Sequence, residues 1–144
     1  MAVIVDELMA LQNDIASHSP TLREKTAAAA FLAQFYNGIE NILKRIAVFH
    51  DVELPSGETW HVELFQRFSA PSDPRLPELF GEELARDLAP YRRFRHVFFH
   101  SYSFHLEWNR MQEGVEHIDE VFSRFNDSLV NYLHGLDQSS GTKQ

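Results

Sequence analysis

The segment from Met111 to Tyr132 constrains the fold most. Met111, Val115, Ile118, Phe122, Phe125, Leu129 and Tyr132 follow one another at steps of four and three residues. Every odd step would move a side chain to the opposite face of a strand, whereas a period near 3.5 keeps all seven on one face of a helix. The seam therefore predicts a long helix and further helices that cover it. The rest of the chain repeats the same period, and strand alternation is absent. A first helix is expected over Val3–Ser17, with Leu8, Leu11 and Ile15 inward. A second runs to about Phe49, opened either by Ser19-Pro20 or by a Thr21/Glu24 capping box. Its stripe is Leu32, Phe35, Ile39, Ile42, Leu43 and Ile46, and Ala27–Ala30 permits close helix contact. Pro55-Ser56-Gly57 marks a turn before a third helix over Glu58–Phe68, and Pro71, Pro74 and Pro77 mark a surface loop. A fourth helix starts near Gly81, points Leu84, Leu88 and Tyr91 inward, meets a potential kink at Pro90, and continues through Phe94, Phe98 and Phe99, which are expected in the core. Gly135 reads as a C-terminal cap. The prediction is all-α: an antiparallel bundle of four to five helices forming one domain over residues 1–135, with a flexible tail over 136–144.

Composition narrows the chemistry. Cysteine is absent among the 144 residues, which excludes disulfides, thiolate metal sites and cysteine nucleophiles. Thirteen Lys+Arg against 21 Asp+Glu give a formal net charge of -8. A field of that sign does not coat DNA or an anionic membrane, so a polyanion must meet a local basic patch. No apolar run approaches the roughly 20 residues of a membrane-spanning helix. The N-terminus, Met1-Ala-Val-Ile-Val-Asp6, lacks the basic region of a signal peptide, so the expected location is the cytoplasm. Ten of the 13 cationic residues are arginine, which suits two-pronged contacts to phosphate.

The local patch lies in Arg92-Arg93-Phe94-Arg95-His96-Val97-Phe98-Phe99-His100-Ser101-Tyr102. Histidine moves protons near neutral pH, and a fixed arginine holds a phosphate and its developing charge. Metal-free RNA cleavage needs little more, because the 2′-hydroxyl is the internal nucleophile. Arg95 and His100 supply both parts. Five residues correspond to about 140° on an ideal helix, so the pair converges only if the helix bends or ends between them, or if a second subunit completes the site. A different reading uses His96 and His100, at i and i+4, as half of a metal site, with Glu40, His61 or His105 as further ligands. Glu40, beside the apolar stripe of the second helix, reads either as a solvated edge residue or as a buried polar orienter. With eight histidines and ten arginines, an isolated Arg-x4-His pair says little.

The longer pattern says more. Arg95, the polar His96, three further residues, His100, one residue and Tyr102 resemble the signature of the HEPN superfamily, specifically of its HepT-like toxins. Arg93 also lies within the family spacing from His100; Arg95 is preferred because His96 supplies the polar follower. The placement before the last helix, and Gly38-Ile39-Glu40-Asn41-Ile42-Leu43-Lys44 in the second helix, are similar to that family too. The resemblance implies a HEPN-like homodimer that cleaves RNA without a metal or other cofactor, tRNA being one candidate substrate. Arg95 would bind the scissile phosphate and His100 would act as general acid or base. His96, Arg92, Arg93 and Glu40 would support the site or bind RNA. Tyr102 would accept AMP from a minimal nucleotidyltransferase antitoxin that uses ATP and Mg2+, as in type VII toxin–antitoxin systems. Each AMP would add negative charge and bulk beside the RNA cleft. The alternatives are the metal-binding bundle using His96 and His100, and a non-catalytic module that dimerises or binds a nucleotidyltransferase.

Overall fold

A computed structural model describes residues 1–100 and 107–141, apart from the side chains of Val97, His100 and residues 139–141. Its elements are α1 (Ala2–Ile15), α2 (Leu22–Phe49), α3 (Trp60–Ser69), α4 (Glu82–His100) and α5 (Trp108–Gly141). No strand occurs among the described residues.

Thr21 fixes where α2 begins. Its hydroxyl accepts from the Glu24 amide at 3.2 Å, and the Glu24 carboxylate accepts from the Thr21 amide at 2.9 Å. The capping box thus forms, and Pro20 stays outside the helix. The small side chains of Ala28 and Ala29 are fully buried, as their size allows.

The long helices alternate in direction along the chain. Met1 packs beside Gly38, and at the other end of α1 His18 bonds Glu24 at 3.0 Å, so α1 runs against α2. Leu32 lies beside Gly114, and the His50 ring bonds the Tyr132 hydroxyl at 2.6 Å, so α5 shares the direction of α2. Tyr91 donates to the Gly114 carbonyl at 2.6 Å and Arg124 reaches back to Asp87 at 2.5 Å, so α4 opposes α5.

The core fills the space between these helices. Phe35 is fully buried, with Tyr91 at 5.3 Å and Phe122 at 6.4 Å in edge-to-face contact. The short α3 adds Leu64, Phe65 and Phe68. Phe80, in the loop before α4, packs between Phe65 at 5.5 Å and Phe125 at 6.0 Å. The amides of Leu79 and Phe80 both donate to the Phe68 carbonyl, which ties this loop to the end of α3.

Two expectations change. Phe94 and Phe98 pack partly buried against the core, but Phe99 is 53% exposed. Phe94 and Phe98 are four residues apart and share a face; Phe99 is one step, about 100°, further round. Gly135 is the other. It does not end α5, which continues through residues 136–141 of the expected tail; residues 142–144 lie outside the described residues. Gly135 is not in the left-handed region, and a Cβ there would meet nothing within 4 Å. Gly135→Ala should therefore stabilise the protein by about 0.5–1 kcal/mol, through the entropy glycine loses in a helix. A lower melting temperature for the alanine variant would show that Gly135 does act as a cap.

Candidate functional site

Arg95 lies one turn after the core residue Tyr91, and its side chain crosses toward α2. Glu40 waits there on the buried face, only 2% exposed among Ile39, Leu43 and Tyr36. Such a carboxylate must be paired. Its Oε1 lies 3.0 Å from Arg95 Nε, and its Oε2 lies 2.5 Å from Nδ1 of His61 at the start of α3. His61 Nε2 in turn faces Arg95 Nη1 at 3.2 Å. The three side chains close a ring across α2, α3 and α4. The carboxylate on one side and the guanidinium on the other define the tautomer: Nδ1–H donates to Glu40, and Nε2 accepts from Arg95. Asn37, on the same face of α2 as Glu40, accepts from Arg95 Nε through Oδ1. Arg95 also stacks over Phe99, with Cζ 5.0 Å from the ring centre.

Glu40 is therefore the buried orienter rather than the solvated edge residue. Its surroundings also keep it from touching an RNA strand itself. It positions Arg95 and His61.

A cleft of about 410 Å³ opens beside this ring, lined by Tyr36, His61, Val62, Arg92, Arg93, Arg95 and His96. Arg92 stacks over Phe65 at 5.0 Å. The Trp60 and His61 rings lie 3.4 Å apart, tilted by 33°, and Lys44 sits over Trp60 at 4.2 Å. Cations and donors thus gather in one place on an acidic protein. A fixed guanidinium beside a histidine, in a cleft of this size, can bind and neutralise a phosphate.

The structure brings together Arg92, Arg93, Arg95, His96 and Glu40. The His100 side chain and Tyr102, the expected proton carrier and AMP acceptor, lie outside the described residues, so their placement relative to Arg95 is not part of this geometry. Among the described residues no group of three His, Asp or Glu side chains is placed to hold a metal ion; His105 and the His100 side chain, which the metal-site reading also uses, fall outside them. Two residues of the site are not legible in these roles from the sequence: the sequence offers His61 only as a metal ligand, and no motif in it marks Asn37. Their signal is faint: Asn37 is one turn before Glu40, so a second polar group sits on an otherwise apolar face.

Burial pushes the His61 pKa below its usual value, aided by the Arg95 and Lys44 charges and opposed by Glu40. The unfolded chain then binds a proton that the folded chain refuses. Stability from this group is complete above the unfolded value near 6.5 and declines as pH falls through the lower folded value. His61→Gln, which cannot titrate, should flatten the fall of the urea midpoint as pH drops below about 6.5. Parallel pH curves for variant and wild type would mean that His61 does not carry it.

Five helices, with no strand among the described residues, are consistent with a HEPN-like helical bundle. A family model described as HepT-like protein matches residues 27–136, and the chain belongs to that family within the HEPN superfamily. No curated protein and no solved structure matches the chain. No helix among the described residues is long and apolar enough to cross a membrane.

Proposed function

We propose that this chain is the toxin of a type VII toxin–antitoxin pair: a cytoplasmic, homodimeric endoribonuclease that needs no metal. The observation that carries the reading is the family match over residues 27–136, in a chain whose Arg95 guanidinium is held by Glu40, His61 and Asn37 at a cation-lined cleft. RNA, with tRNA as one candidate, would lie in that cleft with the scissile phosphate on Arg95. His100 would exchange the proton. The 2′-oxygen bonds to phosphorus, and the bond to the 5′-oxygen breaks. One proton leaves the 2′-hydroxyl and one arrives at the 5′-oxygen, so a 2′,3′-cyclic phosphate and a 5′-hydroxyl form without consuming water. Arg95 offsets the charge that grows on the phosphoryl oxygens. Arg92, Arg93 and His96 would extend the contact along the strand. A minimal nucleotidyltransferase partner would transfer AMP from ATP to the Tyr102 oxygen, with Mg2+ acting in the partner's own site.

The test is RNA cleavage in the presence of a chelator, with protein shown by mass spectrometry to carry no AMP on Tyr102. The expected products end in 2′,3′-cyclic phosphate. Absence of cleavage by this unmodified protein would overturn the nuclease reading in favour of a binding module.

A further inference from the structure

Two polar atoms at the cleft are buried and have no hydrogen-bond partner among the described residues: the Tyr36 hydroxyl and Arg92 Nε. The whole Tyr36 side chain is buried, at 0% exposure, and both residues line the cleft. Neither belongs to the ring of Glu40, His61 and Arg95. A folded protein rarely leaves one buried donor unmet, because the lost solvation is not returned. Two in one cavity mark a place where a partner atom is missing.

The chemistry of that partner is narrow. Arg92 Nε can only donate. The Tyr36 phenol keeps its proton, since burial and then the Glu40 charge raise its pKa against the pull of Arg92 and Arg95. Both groups therefore offer hydrogens and call for an acceptor. Arg92, Arg93 and Arg95 line the same space, which selects an anionic acceptor. Glu40, the acid of the site, is already engaged by His61 and Arg95. The cleft of about 410 Å³ exceeds a bare phosphate and is within the range of sites that take a nucleotide-sized group.

We propose that Tyr36 and Arg92 form a second phosphate subsite beside Arg95, which receives a non-bridging oxygen of a phosphate in the bound strand. That the phosphate belongs to a strand rests on the ribonuclease reading; the phosphate chemistry does not. The subsite gives the enzyme a grip on the substrate away from the bond that breaks. It also makes Tyr36 a binding residue at a position that otherwise serves the apolar face of α2.

The experiment titrates inorganic phosphate, AMP and a 2′-deoxytrinucleotide, which cannot be cleaved through a 2′-hydroxyl, against wild type, Tyr36→Phe and Arg92→Lys at fixed ionic strength. Each variant should bind the trinucleotide about tenfold more weakly, with unchanged helicity. Unliganded Tyr36→Phe should melt no lower than wild type, because the hydroxyl it loses has no hydrogen-bond partner among the described residues. Binding within twofold of wild type by both variants would overturn the subsite. AMP binding tighter than the trinucleotide would give the subsite to a free nucleotide and overturn its assignment to a strand. If both variants lose phosphate binding while wild type cleaves no RNA, the subsite stands and the ribonuclease reading falls. If both bind and cleave as wild type does, the subsite falls and the ribonuclease reading stands.

Discussion

Arg95→Ala should lower RNA cleavage about 10²–10³-fold, the usual loss when one prepositioned donor to a developing oxyanion is removed. The guanidinium is held from four sides, by Glu40, Asn37, His61 and the Phe99 ring. It therefore need not be ordered again as charge builds on the phosphate. Arg95→Lys should recover only part of the rate, since an ammonium keeps the charge but not the planar fork that meets two oxygens. His100→Ala should cost about 10²–10⁴-fold through loss of proton transfer. The two variants are separable by their effect on the fold. Arg95→Ala leaves the buried Glu40 with His61 as its remaining ring partner, so some loss of stability accompanies the loss of rate. Full cleavage by either variant would remove that residue from the chemistry. A loss of cleavage that merely tracks loss of helicity would assign Arg95 a structural role.

Phe35→Ala should be the most damaging single change to the core, costing about 3–5 kcal/mol. Phe35 has no exposed surface, and its ring edges meet Tyr91 on α4 and Phe122 on α5. The cavity left by the ring cannot close easily, because it lies between α2, α4 and α5, whose Tyr91 and Phe122 rings meet there. For a chain of this length the melting temperature should fall on the order of 10–15 °C. A drop of only a few degrees would mean that α4 and α5 can collapse onto the vacancy, and that the helix spacing is softer than the edge-to-face contacts suggest.

The sequence carries the helices well because each has to bury a stripe. The seam from Met111 to Phe125, the stripe from Leu32 to Ile46 and the capping box at Thr21 all appear where local spacing places them. The failures are also physical. Its residue type places Phe99 in the core, yet it lies a step off the face that Phe94 and Phe98 share and is instead covered in part by Arg95. Gly135 carries the residue preference of a cap, but a glycine well inside α5 is tolerated at a modest entropic cost. The ring at Glu40 was ambiguous for another reason. His61 is 21 residues away and Arg95 a further 34, so only the packing of α3 and α4 on α2 shows whether the carboxylate has partners. Spacing within one helix names the faces of that helix. It does not say what stands opposite.

Tyr91 gives the site its stiffness. Its hydroxyl fastens α4 to the Gly114 carbonyl of α5, and one turn later, about 6 Å along the axis, Arg95 fastens α4 to α2. That single turn works as a clamp with a jaw on each of the two longest helices. The arginine is thus mounted on the frame of the molecule, not on a compliant loop. On the proposed ribonuclease reading, a strand would have to bend to meet the guanidinium instead of drawing it out, and selection among RNAs would follow from how readily each one bends.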